Sequence, residues 1–298
     1  YVTGVLTCAL PISWLRKQRM ERAAQLLHVT QPTLSRQLKE LEEELGVKLF
    51  TRGNHCIALT QDGLILRRRA QEIVELADKA ARELAHGDEQ LQGEIAIGSG
   101  ETLSMSEIAR AIASFHEMHP LVRYRMYSGN ADNIKERLES GLLDIGLLSE
   151  PVDIAKYEFV RLDQREEWGV LTRTDSSLAD REFVEPGDLS GRPLMVSERG
   201  LVRDEMANWF GGLGDRQDVV LTYNLLYNAA MLVRQGLGEA LCIRLNCQYD
   251  GLRFIPLRPE LTVHSVVVWK RHQAASDAVG AFTAHIKKCL LSISEDSI

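Results

Sequence analysis

"HVTQPTLSRQLKELEEELG", residues 28–46, holds a helix with a proline near its front and polar side chains crowding the turn that follows. Leu34, Leu38, Leu41 and Leu45 lie four, three and four residues apart, one apolar stripe on a helical period. Pro32, Arg36 and Lys39 fall on the opposite face. Thr30 is placed as N-cap, accepting a free backbone N–H of the first turn. Pro32 takes the second helical position, where its missing N–H has no intrahelical partner to lose. Val29 and Leu34 stand at the positions of a hydrophobic staple. Taken alone, the stretch is an amphipathic surface helix with Gln31, Ser35, Arg36 and Lys39 on its solvent edge.

The residues on either side narrow that reading. "ERAAQLLHVT" predicts a short helix, Arg22 to Leu27, and a tight turn through His28 and Val29. Two helices so joined, the second with short polar side chains and an arginine near its N-terminus, make a helix-turn-helix. Glutamine can bond base edges in the major groove, serine can bond bases or phosphates, and arginine and lysine can neutralise phosphates. "VKLFTRGNHCIALT" reads as two short strands around Gly53-Asn54, a wing from which Arg52 can reach an adjacent minor groove.

At this density of matches the stretch "RAAQLLHVTQPTLSRQLKELEEELGVKLFTR" resembles the DNA-binding domain of the LysR-type transcriptional regulators. The resemblance is dense from Arg22 to Gly63, and weaker but continuous from Gly93 to about Ile243. It implies that Gln31, Pro32, Thr33, Ser35 and Arg36 occupy DNA-contacting positions and Arg52 the wing's, with Lys39 beside them. It also implies double-stranded DNA and a small-molecule effector as partners, in a homo-oligomer, dimer or tetramer.

"YVTGVLTCALPIS", residues 1–13, departs from the family pattern. It has no charge and no basic n-region, and nothing in it matches the helix with which the family normally begins. Pro11 interrupts any long helix there. The first helix is therefore expected to be missing or replaced, with family-like sequence resuming near Glu21; a divergent but working helix is the alternative.

The 298 residues suffice for two or three domains with sizeable cores. No uncharged run reaches the length of a membrane span. The net charge of −7 is unevenly spread: residues 1–69 carry 11 lysines and arginines against 6 acidic residues, whereas 70–298 carry 24 against 36. A basic head on an acidic body suits a protein that touches DNA at one end. Five scattered cysteines suggest no disulfide framework and point to the cytoplasm. Cys242 and Cys247 are a candidate redox pair, although Cys242 in "EALCI" reads as core.

Thr60 is placed to cap a long helix running to about His86. Leu66, Ala70, Ile73, Ala77, Ala80 and Leu84 form a heptad-like seam along it. About 25 residues span roughly 37 Å. The seam can pack on its own domain; the resemblance implies the family's antiparallel linker-helix dimer.

From Gly93 short apolar strands alternate with helices: "EIAIG", Ser104 to His116, "RYRMY", Ala131 to Ser140, "DIGLL". A second series follows with "WGVLT", "PLMVS", Val202 to Trp209, "VVLTY", Ala229 to Gln235 and "EALCI", then "HSVVVW" and a closing helix from about Ala275. This order predicts parallel α/β sheet. The fold class is thus α+β multidomain: a winged helix-turn-helix, a linker helix and two α/β lobes, similar to the family's effector module and to type 2 periplasmic binding proteins. The expected partition is an atypical segment 1–20, a DNA-binding domain 21–59, a linker 60–87 and an effector module 88–298. Lobe I would comprise 93–161 and 266–298, and lobe II 162–265.

Ligands of open α/β sheets bind beyond the carboxyl ends of strands, near helix N-termini. There stand Ser99 and Thr102, Ser128 and Asn130, Ser197 and Arg199, Tyr223 and Asn224. Ser104 with Glu107 forms a capping-box pattern. The hydroxyls and amides can simply cap their own helices. Free N–H groups, hydroxyl donors and Arg199 as counter-charge point instead to a small organic acid, with Tyr223 as an aromatic wall. "GSG" at Gly98 to Gly100 lacks the spacing of a dinucleotide fingerprint, and no HExxH, paired CxxC, P-loop or GxSxG occurs. Neither an enzyme nor a metal site is expected. The alternative is an effector-binding oligomer defective in DNA binding because of its altered N-terminus.

Overall fold

The computed structural model describes residues 24, 29–52, 57–84, 91–212, 217–271 and 276–295. The chain divides into two compact units, Tyr1–His86 and Gly87–Ile298. The segment 1–20, the helix expected from Arg22 to Leu27 (apart from Ala24) and the Gly53-Asn54 turn lie outside the described residues.

In the first unit, helix α1 (Gln31–Leu45) opens as its sequence demands: Thr30 has extended backbone, its hydroxyl accepts the Thr33 N–H at 3.4 Å, and Pro32 follows in the first turn. Leu34, Leu38 and Leu41 are buried together with Ala24, Leu49 and Ala70. Leu45, expected on the same stripe, is instead 46% exposed. The helix stops there because Gly46 adopts φ 68°, and Leu49, past the turn, fills the core position. Strands β1 (Phe50–Arg52) and β2 (Ile57–Leu59) pair antiparallel as the expected wing. Helix α2 (Gln61–Leu84) is capped by Thr60, whose hydroxyl takes the Gly63 N–H at 3.0 Å and donates to the Lys48 carbonyl at 2.6 Å. The seam of α2 is divided between two environments. Leu66 and Ala70 pack into their own unit, whereas Ile73 is 38% exposed and Leu76, off the seam, 44%.

The second unit is built from β3 (Gly93–Ser99), α3 (Met105–Met118), β4 (Val122–Ser128), α4 (Ala131–Glu139), β5 (Ile145–Ser149) and β6 (Tyr157–Arg173). It continues through β7 (Pro193–Ser197), α5 (Gly200–Phe210), β8 (Asp218–Tyr223), α6 (Leu226–Arg234), β9 (Glu239–Ile243), β10 (Leu252–Pro256), β11 (Thr262–Lys270) and α7 (Asp277–Glu295). The strands order as β4-β3-β5-β11-β6-β9-β7-β8, with β10 also on β6. Within each lobe the pairs β3–β4, β3–β5, β7–β8 and β7–β9 are parallel, as expected. The strands at the junction are not: β11 pairs antiparallel with β5 and β6, and β6 antiparallel with β9 and β10. The sheet is therefore mixed. The first half of β6 and all of β10 do not stand out as strands in the sequence, because "EFVRLDQREE" alternates poorly, with only Leu162 and Glu166 buried in it.

The two lobes have separate cores. Ile95, Ile97, Phe115, Ile145 and Phe282 anchor one, and Val170, Leu194, Met206, Phe210 and Leu241 the other. Gly98 shows why α4 can sit so close to β3: a Cβ there would lie 2.6 Å from Leu143 and 2.8 Å from Ile134.

Candidate functional site

On α1, Gln31, Pro32, Arg36 and Lys39 are exposed and Thr33 and Ser35 half-buried, so the polar edge faces away from the leucine stripe. Arg36 and Lys39 lie 3.5 and 3.4 Å from Glu40 and Glu43, four residues on, with more than half of each side chain exposed. Such pairs are worth little in water, so either cation can be taken over by a phosphate. Arg52 ends β1, opposite Ile57. The N-terminal end of this unit's wing is fixed from behind by Glu42. Its carboxylate accepts the N–H groups of Leu49 (2.8 Å) and Phe50 (3.2 Å) and pairs with Lys48 at 3.3 Å. Burial pushes its pKa up, but these donors and the ammonium outweigh burial and hold it below the ordinary value.

In the second unit an open cleft lies between the lobes. Of the eight predicted effector residues, Asn130, Ser197, Arg199, Tyr223 and Asn224 line it. Asn130 caps α4, accepting from the N–H groups of Asp132 and Asn133, each at 3.0 Å, and its amide donates to Glu198 of the facing lobe at 2.7 Å. Ser197 accepts the Arg199 N–H at 3.3 Å. Tyr223 is among the lining residues, its hydroxyl donates to the Leu241 carbonyl, and burial drives its pKa well up.

Ser99, Thr102 and Ser128 are placed elsewhere. The Ser99 hydroxyl bonds the Gly100 carbonyl at 2.8 Å, and Ser128 ends β4 exposed. Thr102 turns beneath the cleft, donating to the buried carboxylate of Glu166 and lying 3.2 Å from Ser265. Ser104 does not cap α3 in the expected box: its hydroxyl goes to Glu166 at 2.7 Å. The buried acceptor attracts it more strongly than a helix end can.

Arg199, the expected counter-charge, lines the cleft and also ties the two lobes together. It is 6% exposed, and its guanidinium donates across the cleft to the carbonyls of Ser149 (3.1 Å) and Pro151 (2.6 Å), with Nε 3.7 Å from Asp132. Burial lowers its pKa, against the opposing pull of Asp132. A third bridge joins Glu101, ahead of α3, to α6. The latter helix has no side-chain cap, and its Leu226 N–H donates to the Glu101 carboxylate. Glu101, Glu150 and Trp168 line the cleft and were missed. The adjacency of Glu101 to the "GSG" loop was a usable signal; Trp168 opens the expected strand "WGVLT", but its place at the lobe junction depends on the antiparallel pairing of β6 with β11 and β9.

Cys242 is buried, its thiol pushed up by burial, whereas Cys247 is exposed; both are free. Among the described residues no group of three or more His, Cys, Asp or Glu side chains is placed to hold a metal ion, and no helix is long and apolar enough to cross a membrane.

A wing behind a Thr-Pro-capped helix, together with a two-lobed mixed sheet, is matched by two family profiles. The LysR substrate binding domain covers residues 88–290, and the bacterial regulatory helix-turn-helix protein, lysR family, covers 13–64. The chain belongs to the LysR family. The second match starts at residue 13, ahead of Glu21. Among LysR-family relatives, the uncharacterized HTH-type transcriptional regulator YybE of Bacillus subtilis (strain 168) is 29% identical over 75% of this chain and 76% of its own length. The DNA-binding transcriptional dual regulator OxyR of Escherichia coli (strain K12) is 28% identical over 82% and 81%. The crystal structure of CbnR, a LysR family transcriptional regulator, has the same fold: TM-score 0.71 at 20% identity, covering 96% of this chain and 99% of that one. CbnR complexed with its target DNA gives 0.67 at 20% identity, with 96% and 98% covered. This LysR-family chain thus pairs a helix-turn-helix head with an effector-binding module.

Proposed function

We propose that the chain is a cytoplasmic transcription regulator, without catalytic activity, that binds double-stranded DNA as a homo-oligomer under the control of a small organic acid held between its lobes. Gln31, Pro32, Thr33, Ser35, Arg36, Lys39 and Arg52 form the DNA face. Asn130, Ser197, Tyr223 and Asn224 surround the effector. Ser99, Thr102 and Ser128 act from outside the cleft lining, and Arg199 braces the lobes. The observation that carries the acid is the N-terminus of α6: it already receives a carboxylate, that of Glu101, and helix N-termini favour negative charge. An incoming carboxylate competes with Glu101 for that position, and so alters the bridge between lobes. Differential affinity for open and closed lobes then shifts their populations.

A second reading, an effector-binding oligomer unable to bind DNA, is favoured by the charge-free content of residues 1–13. Both are tested by fluorescence anisotropy of the full chain on operator-sized duplexes, beside a version carrying a family-like first helix, with and without a panel of carboxylates. Tight, salt-sensitive binding by the unaltered chain supports the first reading; binding only by the repaired version supports the second. Thermal shift with the same panel reports the acid directly, because a specific ligand stabilises the folded state.

A further inference from the structure

Two buried polar atoms on one face of β6 have no hydrogen-bond partner among the described residues: Nε1 of Trp168 and Oε2 of Glu166. Trp168 is 6% exposed and lines the cleft; Glu166 is fully buried two residues earlier on the strand, so both side chains leave the same side of the sheet. The other Glu166 oxygen is crowded, accepting from Thr102, Ser104 (2.7 Å) and Ser265 (2.9 Å). Ser265 in turn lies 3.4 Å from Ser149, which lines the cleft, so the carboxylate is connected to the cleft floor. Orphaned buried polar atoms are rare and demand an account.

The two orphans differ in kind. The indole N–H only donates, and the carboxylate oxygen only accepts. A ligand ammonium satisfies Glu166 but cannot accept from Trp168. A ligand carboxylate accepts from Trp168 but is repelled by Glu166. A hydroxyl does both at once.

We propose that the effector carries a hydroxyl several bonds from its carboxylate, and that this hydroxyl accepts from Trp168 Nε1 and donates to Glu166 Oε2. This rests on the acid reading of the cleft given above. The ligand class is a hydroxy acid: its carboxylate goes toward the N-terminus of α6, its hydroxyl to the floor, and its carbon skeleton against Leu147, Val202 and Val263, which line the same cleft. Both orphan atoms are closed to solvent in this arrangement, so the hydroxyl enters as the lobes part. Trp168 is then the specificity-determining residue, because a site built around a hydroxyl rejects the analogue lacking it.

The test is calorimetry on the full chain with matched pairs of probes whose hydroxyl stands apart from the carboxylate: 4-hydroxybutyrate and butyrate, 3-hydroxyphenylacetate and phenylacetate. The hydroxy member of a pair is expected to bind at least about ten-fold more tightly than its deoxy partner. Trp168→Phe, which keeps the ring and loses the N–H, is expected to bring that ratio to within about two-fold. The ratio in the unaltered chain decides the matter even where the variant folds poorly. Equal binding of both members overturns the hydroxyl and leaves the acid reading standing. A ratio that persists in Trp168→Phe removes Trp168 as the recognising group and overturns the assignment. If no acid of either kind binds, the acid reading and this inference fall together.

Discussion

The Asn130 amide donates to the Glu198 carboxylate at 2.7 Å, joining the N-terminus of α4 in one lobe to the end of β7 in the other. The residue next to Glu198, Arg199, reaches back to the segment after β5, and Glu101 reaches forward to α6. The two lobes are thus bridged on both walls of the cleft, by groups that a ligand must share or displace. Removing the arginine leaves the carbonyls of Ser149 and Pro151 short of a donor. Arg199→Ala is expected to destabilise the second unit by about 1–3 kcal/mol. Chemical denaturation reads this, and an unchanged midpoint would mean that the bridges carry no stability.

DNA binding should fall steeply with salt, since phosphate contacts release counterions. Arg36→Ala is expected to weaken binding to all sequences and to flatten the salt slope by about one unit. Gln31→Ala should instead lose discrimination at one base position, by roughly 1–3 kcal/mol. Anisotropy titrations at several salt concentrations separate the two, and a footprint indifferent to both would displace α1 from the groove.

The exposed half of the α2 seam is expected to be an oligomer contact. Ile73→Glu would place an unpaired carboxylate against apolar neighbours, and should weaken self-association about ten-fold or more. Light scattering over a concentration series is the check; the same mass for variant and parent takes α2 out of the interface.

Glu42 supplies a pH dependence with a definite sign. Its carboxyl titrates lower in the folded head than in the unfolded chain. The stability it contributes is therefore complete above its unfolded pKa of about 4.3, and is lost as pH falls through the lower folded value. Glu42→Gln is expected to lower stability by about 1 kcal/mol at neutral pH, with the difference from the parent shrinking through the acid range. Far-UV circular dichroism melts between neutral and acid pH would show it, and a constant offset would mean that another group governs the wing.

Much of the head was legible in residues 28–60, because its signals are local. A threonine cap, a proline in the first turn and leucines on a helical period each act within a few residues of themselves. The alternating strands and helices of the body were legible for the same reason, and so was the burial of Cys242 within "EALCI". The exposure of Leu45 was not, since it depended on where Gly46 turned the chain and which leucine reached the core first.

The sequence by itself determined helix α1, the wing and the order of strands and helices apart from β10 and the first half of β6, for these follow from periodicity, capping and turn chemistry. Only the tertiary structure decided what the strand-end residues do. Asn130 and Arg199 became bridges, Thr102 and Ser104 turned to Glu166, and Trp168 came to the cleft floor. Glu166 lies 62 residues from Ser104 and 99 from Ser265 along the chain. A buried carboxylate recruits whatever donors the fold brings within reach, and separations of that size leave no mark in local sequence pattern.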